Sequence, residues 1–430
     1  MRNYGMRALI IATALAVAPS LALAQGKELK IGVIFDFTGP FAAGGSQAAA
    51  VGTQIAIDMI NEKGGVEGYK IKAITADAQS KAEVAINEAT RLLEQEKVDL
   101  IMGVYSSAHC VPMAQKVDAA KKFMWANVCV ASSVFKNKNL THVFRAQVHS
   151  DQYAASCSFL NENAKKKMGI DPKKLKVAII YEDGPYGSGV ASGNEETCKE
   201  YGIQIVLKEG YSATAPDLSS LVTKLRRARA DVILHTGYNP DITLFWRQAK
   251  EQGLKWLALI GHGAGYGQFD KLKEAFGKEA EYIFNVDPVA AQLLDPKALK
   301  PGLGDLTKEM VKRYKAETKA EVVPPHTSMG FNQSWIFFTD VLPRAIKKYG
   351  GIDPEALRKA ALDTDIPVGG TIQGYGVKFF PPGTPMSGQN ERSSMVVMQY
   401  LGGETKIVWP TAIKTADPLL PIPKSSAYRR

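Results

Sequence analysis

The stretch Lys30–Phe35, which reads Lys-Ile-Gly-Val-Ile-Phe, decides the fold class of this chain. It is a short apolar run without polar alternation, and a helical pattern with Ile55 and Met59 on its apolar face follows over residues 46–63. A strand without alternation is buried on both faces, which is typical of a parallel sheet covered by helices. The stretch therefore predicts an α/β fold.

The alternation of strand and helix continues along the chain and restarts after Pro172. Further strands are predicted over residues 71–76, 98–103, 123–128, 176–181, 203–208, 231–236 and 257–260. Further helices are predicted over residues 81–96, 111–120, 189–201, 218–229, 242–252, 269–276, 306–319, 329–349 and 354–362. Two such runs predict two α/β lobes, each with its own sheet. Residues 370–409 turn strand-like, and the aperiodic residues 411–430 are interpreted as a C-terminal tail.

The composition is that of a globular protein with more than one core. The chain has 430 residues, of which 45% are apolar and 22% charged, and this balance argues against disorder or a fibre. Its formal net charge is +10, but the basic residues are scattered rather than clustered. The sequence therefore gives no indication of a nucleic-acid partner.

The first 24 residues have the three-part pattern of a secretory signal peptide. Arg2 and Arg7 precede an almost wholly apolar stretch over residues 8–18. Ala22–Ala24 then forms a small-x-small cleavage site. The apolar run is too short for a bilayer span, which needs roughly 20 residues. We therefore expect cleavage and export to the periplasm without a membrane-spanning segment, and an uncleaved anchor is the alternative.

Four cysteines, Cys110, Cys129, Cys157 and Cys198, form an even set in a chain that is expected to reach an oxidising compartment. Their sequence separations suggest the pairs Cys110–Cys129 and Cys157–Cys198. The alternative that they are simply small buried residues explains the sequence equally well. None lies in a C-x-x-C pair, which disfavours a redox centre or a structural zinc site.

The sequence lacks the patterns of common catalytic and cofactor sites. It contains no G-x-S-x-G elbow, no H-E-x-x-H and no G-x-x-x-x-G-K-[ST] loop. The glycine-rich run Gly261–Gly267 does not have the G-x-G-x-x-G spacing of a dinucleotide site. The histidines show no metal-ligand spacing. We therefore predict no catalytic residue, no metal and no cofactor.

What recurs instead is a set of loops where predicted strands end, the edge at which open α/β sheets bind ligands. These loops cover residues 36–45, 103–108, 129–133, 183–187 and 237–240. Loops of the first lobe offer hydroxyls and helix N-termini, which suit a carboxylate. Tyr186 and Tyr238 of the second lobe offer apolar rings with polar tips. Ordinary turn chemistry explains any one of these loops singly, but five in this order favour a binding site.

The chain also carries an ordered set of short motifs between residues 28 and 400. They are Ile31-Gly-Val, Thr38-Gly-Pro-Phe, Ile60-Asn-Glu-Lys-Gly-Gly-Val66, Gly103-Val-Tyr-Ser-Ser, Phe144-Arg145, Tyr186-Gly187, Leu218-Ser-Ser-Leu-Val and Gly237-Tyr-Asn-Pro. In these motifs the chain resembles the periplasmic type I substrate-binding proteins of ABC importers, in the branched-chain amino acid (leucine/isoleucine/valine) group. The resemblance implies two doubly wound, Rossmann-like lobes joined by three crossovers near Gln147, Asp287 and Gly370.

By this resemblance, lobe I comprises residues 27–147 and 288–369, and lobe II comprises residues 148–287 and 370–410. The resemblance implies a monomeric receptor that closes its lobes on a small molecule and delivers it to the permease and ATPase subunits of the importer. One alternative is a ligand-sensing protein on the same fold, for small amides or organic acids. The other is an enzyme whose site the sequence does not reveal.

The resemblance also implies a ligand pocket. It puts Ser107, Ala131 and Ser132 on the carboxylate side, with Tyr186 and Tyr238 facing them from the second lobe. The rest of the predicted site comes from the same loops and from the end of the strand at 257–260: Tyr105, Ser106, His109 and His262.

Several positions depart from the amino-acid-binding pattern of that group. Gly44 stands where a pocket aromatic is common, and Gln79 and Ser106 stand where a cysteine pair is typical. His262-Gly263 replaces the acid that holds the α-ammonium, and a buried ammonium without an acidic partner is costly. We therefore expect a ligand with a carboxylate and no ammonium, such as an aromatic or aliphatic acid or an amide, with His262 bonded to its phenol or carbonyl. Asp183 or Asp287 is the alternative source of the acid.

Overall fold

Two sheets organise residues 26–430, the part of the chain that this computed structural model describes. The first sheet comprises β1 (Lys27–Phe35), β2 (Tyr69–Asp77), β3 (Leu100–Gly103), β4 (Phe123–Ala126) and β5 (Val143–Phe144). The second comprises β6 (Lys176–Glu182), β7 (Gln204–Tyr211), β8 (Val232–Thr236), β9 (Ala258–His262), β10 (Phe284–Asp287), β11 (Val396–Leu401) and β12 (Glu404–Trp409). The strand orders are β2-β1-β3-β4-β5 and β12-β11-β10-β9-β8-β6-β7. Strands β11 and β12 pair antiparallel at the edge of the otherwise parallel second sheet.

Helices connect the parallel strands. Those near the first sheet are α1 (Gln47–Glu62), α2 (Ala82–Glu94), α3 (Ser107–Ala119) and, later in the chain, α10 (Leu303–Thr318), α11 (Pro325–Ile336), α12 (Leu342–Tyr349) and α13 (Pro354–Leu362). Those of the second lobe are α4 (Ala155–Asn163), α5 (Pro185–Glu200), α6 (Ser219–Ala228), α7 (Asn239–Glu251), α8 (Gly263–Tyr266) and α9 (Phe269–Phe276). A π-helical turn at Phe337–Val341 joins α11 to α12.

Strand β1 is covered by helices on both faces, as its unbroken apolar run requires. Ile31 and Val33 belong to the core that contains α1 and α11, whereas Ile34 belongs to the core that contains α2 and α3. The strand is buried from Ile31 to Phe35. This confirms the predicted α/β fold with two doubly wound lobes.

Three local differences from the sequence prediction bear on the site. Helix α3 begins at Ser107 rather than near Val111, because Ser106 is already in extended backbone and occupies the N-cap position. Strand β10 is not predicted from the sequence. It bears on the site because its last residue, Asp287, lies at the cleft between the lobes. Residues 370–409 are predicted to be strand-like, but within them the structure has only the strands β11 and β12.

The chain passes between the lobes at three places. It leaves the first sheet after Phe144, and it leaves β10 after Asp287 to reach α10–α13. The segment from Gly370 to Asn390, which the resemblance assigns to lobe II, packs on the first lobe. Phe379 packs its ring 5.7 Å from that of Trp125, and Phe380 donates its N–H to Gln389, whose side chain accepts from Arg145. The chain enters the second sheet only with β11.

Both cysteine pairs suggested by the sequence separations are disulfides in the structure. Cys110–Cys129 joins α3 to the loop after β4, and Cys157–Cys198 joins α4 to α5. Each bond therefore ties elements of one lobe, and neither bond crosses from one lobe to the other.

The predicted C-terminal tail packs on the second lobe. Tyr428 stacks on Trp256 with ring centroids 4.5 Å apart, and the N–H of Ile422 donates to the carbonyl of Leu257 at 2.9 Å. Ile422 is buried although the segment has no periodicity. A proline-rich segment in irregular backbone shows no amphipathic pattern, so its packing is not visible in the sequence.

Replacing Ile422 with alanine is expected to lower the free energy of unfolding by about 2 kcal/mol, because a buried aliphatic side chain leaves a cavity in a packed contact. Leu419→Ala is the matched control, since Leu419 lies in the same segment but is 45% exposed. Thermal unfolding of both variants measures the difference. Equal melting temperatures for the two would show that the tail does not stabilise the lobe.

The predicted signal peptide, residues 1–24, lies outside the described residues. From residue 26 onward, no helix combines the length and the apolar character that a membrane crossing requires.

Candidate ligand-binding site

A cavity lies between the two lobes at the ends of the parallel strands, and it contains about 310 Å³ not filled by protein atoms. The first lobe lines it with Tyr105, Ser107, Val128, Val130, His326 and Met329. The second lobe lines it with Tyr153, Tyr186, Tyr238, Ala264 and Asp287. Its place is that of a ligand site in an open α/β sheet, and a ligand held there touches both lobes at once.

The first-lobe end of the cavity is suited to an anion. Ser107 is the first residue of α3, a helix of 13 residues whose N-terminus carries partial positive charge. The Ser107 Oγ accepts the N–H of Ala131 at 3.1 Å and that of Val130 at 3.3 Å. Because the Oγ acts as the acceptor in both of these hydrogen bonds, the hydroxyl hydrogen of Ser107 is available to a carboxylate in the cavity.

Tyrosine rings form the wall of the cavity that the second lobe presents. The rings of Tyr186 and Tyr238 lie 5.5 Å apart, and Phe41 of the first lobe packs on Tyr238 at 4.4 Å. The Tyr186 hydroxyl donates to the carbonyl of His262 at 2.8 Å. Burial raises the pKa of both tyrosines well above the usual value, so they are neutral. The wall is therefore apolar with hydroxyl tips.

The second-lobe end of the cavity carries an acid. Asp287, the last residue of β10, is completely buried. Its Oδ1 accepts the Tyr153 hydroxyl at 2.9 Å, and its Oδ2 has no hydrogen-bond partner among the described residues. Burial raises the pKa of Asp287 to about 8. The cavity thus has a hydroxyl donor, Ser107, at one end and a carboxyl group, Asp287, that burial keeps largely protonated at neutral pH at the other.

His262 does not reach this cavity. Its Nδ1 lies 2.7 Å from Thr236 Oγ1 and its Nε2 lies 2.8 Å from Ser156 Oγ, so both ring nitrogens are occupied inside the second lobe. Burial lowers its pKa to about 3. The geometry therefore gives no support to a ligand bond from this imidazole, and the acid at the cavity is Asp287, the alternative weighed from the sequence.

Four other residues of the predicted site do not line the cavity either. Ser132 donates its hydroxyl to Asp151 at 2.7 Å, and the carbonyl of Ala131 accepts from the guanidinium of Arg145 at 3.0 Å. His109 is buried with Nδ1 3.5 Å from Asp36, and Ser106 is buried at the N-cap of α3. Of the nine predicted residues, the structure thus brings together at the cavity Tyr105, Ser107, Tyr186 and Tyr238.

Apart from Asp287, the sequence does not single out the remaining lining residues. Tyr153 follows the first passage between the lobes, and His326 and Met329 come from α11, far along the chain. From the sequence, a ring such as that of His326 within a helical pattern is interpreted as part of the hydrophobic core. No local signal in the sequence shows that α11 packs beside α1. Within residues 26–430, no group of three His, Cys, Asp or Glu side chains is placed to hold a metal.

Comparison with known proteins supports the same interpretation as the geometry, a ligand-binding protein. A family model described as periplasmic binding protein matches residues 28–400. A Brucella abortus protein named Leu/Ile/Val-binding protein homolog 7 is 34% identical over 414 residues, which cover 96% of this chain and 99% of that protein.

Solved structures share the fold at lower sequence identity. One of them is the branched-chain amino acid transporter substrate binding protein LivJ from Streptococcus pneumoniae, in complex with isoleucine. Its TM-score is 0.70 at 19% identity, and the match covers 89% of this chain and 100% of that chain. A solute binding protein of an ABC transporter from R. palustris, in complex with 4-hydroxybenzoate, gives a TM-score of 0.71 at 17% identity, over 91% of this chain and 98% of that one.

Proposed function

Because the chain belongs to the periplasmic binding protein family and has its type I fold, we propose that it is the solute receptor of an ABC importer of the branched-chain amino acid type. Its relatives are named as binding proteins, and the chain is a solute-binding protein rather than an enzyme. In the proposed role it closes its lobes on a small carboxylate-bearing ligand and presents the closed form to the permease and ATPase subunits.

The observation that carries this proposal is a cavity whose two ends belong to different lobes. Ser107 supplies the donor end from the first lobe, and the tyrosines close over it from the second. A ligand that contacts both lobes stabilises the closed form by its differential affinity for that form. Closure then signals occupancy to the membrane subunits without any chemical step.

The ligand class is proposed from the donor end and from the relatives. One structural neighbour holds isoleucine and another holds 4-hydroxybenzoate, and both ligands carry a carboxylate. The Ser107 hydroxyl and the N-terminus of α3 are the groups of this chain that would bind it. We place the protein in the periplasm as a monomer, after removal of residues 1–24, because the family is periplasmic and these residues have the signal-peptide pattern.

A thermal-shift screen of residues 25–430 tests the binding role. The panel contains the twenty amino acids, short amides, aliphatic acids and hydroxylated aromatic acids. A ligand that binds only the folded protein is expected to stabilise it by roughly 2.7 kcal/mol at a hundredfold excess over its dissociation constant. Ser107→Ala is expected to weaken the binding of any carboxylate roughly 10- to 100-fold, the value of a hydrogen bond to a charged group.

Uptake in cells separates a transport role from a sensing role. Cells without this protein are expected to lose high-affinity uptake of the ligand found in the screen. Normal uptake in these cells would contradict the importer role and favour a ligand sensor. No stabilisation by any compound of the panel would contradict the binding role itself.

A further inference from the structure

We propose that Tyr375 is a positioning residue that sets ligand affinity from outside the cavity, because its hydroxyl joins the three passages between the lobes in the closed form. Tyr375 is not one of the described residues that line the cavity, so it acts on lobe closure rather than on the ligand. This inference rests on the proposed receptor function and adds to it a residue that controls closure.

The Tyr375 hydroxyl lies at the centre of a buried group of polar side chains, here called the hinge cluster: Gln147, Asn332, Gln333, Gln373 and Tyr375. Each of the five is at most 3% exposed. The hydroxyl oxygen accepts from Gln333 Nε2 at 2.7 Å and from Asn332 Nδ2 at 3.2 Å. Its hydrogen has two acceptors within reach, Gln373 Oε1 at 3.0 Å and Gln147 Oε1 at 3.3 Å. A phenol has one hydrogen, so only one of these two amides receives it at a time.

The members of the hinge cluster reach all three passages between the lobes. Gln147 lies in the first passage, and its carbonyl oxygen accepts from Gln389 Nε2 at 2.6 Å. Gln373 Nε2 donates to the carbonyl of Val289, in the second passage, at 3.0 Å. Tyr375 itself belongs to the segment that leads into the third passage, and the two remaining members lie on α11 of the first lobe. The Tyr375 hydroxyl is therefore the point at which hydrogen bonds from the three passages meet α11.

These bonds belong to the closed form of the protein. The lobes are in contact across the cleft, where Phe41 of the first lobe packs on Tyr238 of the second with ring centroids 4.4 Å apart. A change in the angle between the lobes displaces the first and second passages relative to α11. The cluster's bonds to Gln147 and Val289, which are 3.3 and 3.0 Å long, weaken steeply when their length or angle changes. Opening is therefore expected to break both bonds.

The hinge cluster is not fully paired in the closed form. Gln147 Nε2 and Gln333 Oε1 are buried and have no hydrogen-bond partner within residues 26–430. A buried amide group without a partner is unfavourable, so a different lobe angle that pairs these two groups lowers the cost of opening. The Tyr375 hydroxyl opposes this by holding both amides in their closed-form places. Its removal is therefore expected to shift the balance toward the open form.

Tyr375→Phe tests the inference because it removes the hydroxyl and keeps the ring. The probes are the twenty L-amino acids, benzoate and 4-hydroxybenzoate, and the compound that most stabilises wild type is titrated against each variant. Tyr375→Phe is expected to raise its dissociation constant about 3- to 10-fold, the value of one hydrogen bond. Tyr428→Phe is the control, since this ring is also buried and its hydroxyl donates to Glu279 at 3.3 Å within the second lobe. Unchanged affinity is expected for the control.

Stopped-flow kinetics give a readout that a merely structural role does not move. In the proposed mechanism the ligand binds the open form before the lobes close, so a less stable closed form releases the ligand faster and leaves the encounter unchanged. The dissociation rate constant of Tyr375→Phe is therefore expected to rise by the same factor as the dissociation constant. The association rate constant is expected to stay within about twofold of wild type.

Gln373→Leu is a second variant that leaves Tyr375 in place. It removes the bond to Val289 and one acceptor of the Tyr375 hydroxyl, and it is expected to raise the dissociation rate constant as well. The two substitutions combined are expected to raise this constant by less than the product of their separate effects, because both act through the hinge cluster.

The outcomes separate this inference from the function on which it rests. Faster dissociation at unchanged association in both variants, with wild-type kinetics in Tyr428→Phe, supports the inference. Wild-type dissociation rate constants in Tyr375→Phe and Gln373→Leu overturn it, whether or not the melting temperatures fall, and leave the receptor function standing. A combined effect equal to the product of the two also overturns it, since the residues then act separately. Failure of every probe to bind wild type overturns both the inference and the function.

Discussion

Replacing Arg145 with methionine is expected to lower the free energy of unfolding by about 4 kcal/mol, because three buried acceptors lose their donor. The guanidinium is completely buried. Its Nε donates to Gln389 Oε1 at 2.6 Å, and its Nη1 donates to the carbonyls of Cys129 and Ala131 at 2.9 and 3.0 Å. Methionine fills much of the same space but offers no donor.

The same substitution is expected to weaken ligand binding, since Arg145 holds the loop that follows β4. Val128 and Val130 of this loop line the cavity, and the loop N–H groups bond to Ser107. Arg145 thereby acts as a positioning residue.

Thermal unfolding and ligand titration of Arg145→Met measure both effects, and a fall in melting temperature of roughly 5 °C corresponds to the expected loss in a chain of this size. Arg227→Met is the control, because Arg227 is exposed and forms no ion pair within the described chain. A change within about 0.5 kcal/mol is expected for it, as for most surface substitutions. Similar melting temperatures for the two variants would contradict the role assigned to Arg145.

Replacing Gly330 with valine is expected to lower the free energy of unfolding by more than about 3 kcal/mol, the upper end of overpacking costs. Helices α1 and α11 cross at two glycines, one on each helix, and each lies against the backbone of the other helix. A Cβ at Gly330 would lie 2.0 Å from the carbonyl oxygen of Ala49, and a Cβ at Gly52 would lie 2.2 Å from that of Thr327. The obstacle on each side is backbone, which cannot rotate away as a side chain can.

Thermal unfolding also tests this helix crossing. Gly351→Val is the control, since a Cβ at Gly351 meets only ordinary contacts, at 3.4 Å and beyond, and its φ is not positive. The crossing also bears on the cavity, because α11 supplies His326 and Met329. If Gly330→Val melts within a degree or two of Gly351→Val, the two helices do not pack as closely as the structure has them.

The fold could be predicted from the sequence because the patterns that indicate it are local. The unbroken apolar run of Lys30–Phe35 marks a strand covered on both faces, and the structure places it between two helix layers. The loops at strand ends likewise contain Tyr105, Ser107, Tyr186 and Tyr238, which do line the cavity. Each of these inferences needs only a few consecutive residues and the side-chain period of a strand or helix.

Residues whose role depends on partners distant in sequence were not accessible in this way. The packed C-terminal segment carries no periodicity, yet Tyr428 stacks on Trp256. Met329 belongs to a helix whose place beside α1 is fixed by two glycines on different helices. Neither contact leaves a signal within a window of neighbouring residues.

The sequence by itself determined the alternation of strands and helices, the two lobes and the edge at which a ligand binds. Only the tertiary structure decided which polar side chain at that edge enters the cavity. His262 and Asp287 both end neighbouring parallel strands, but the register pairs His262 with Val286, so Asp287 lies one residue further toward the cleft. Successive side chains of a strand point to opposite faces, and a one-residue offset therefore buries the imidazole inside the second lobe and turns the carboxylate into the cavity. That register is set by hydrogen bonds between strands far apart in the chain.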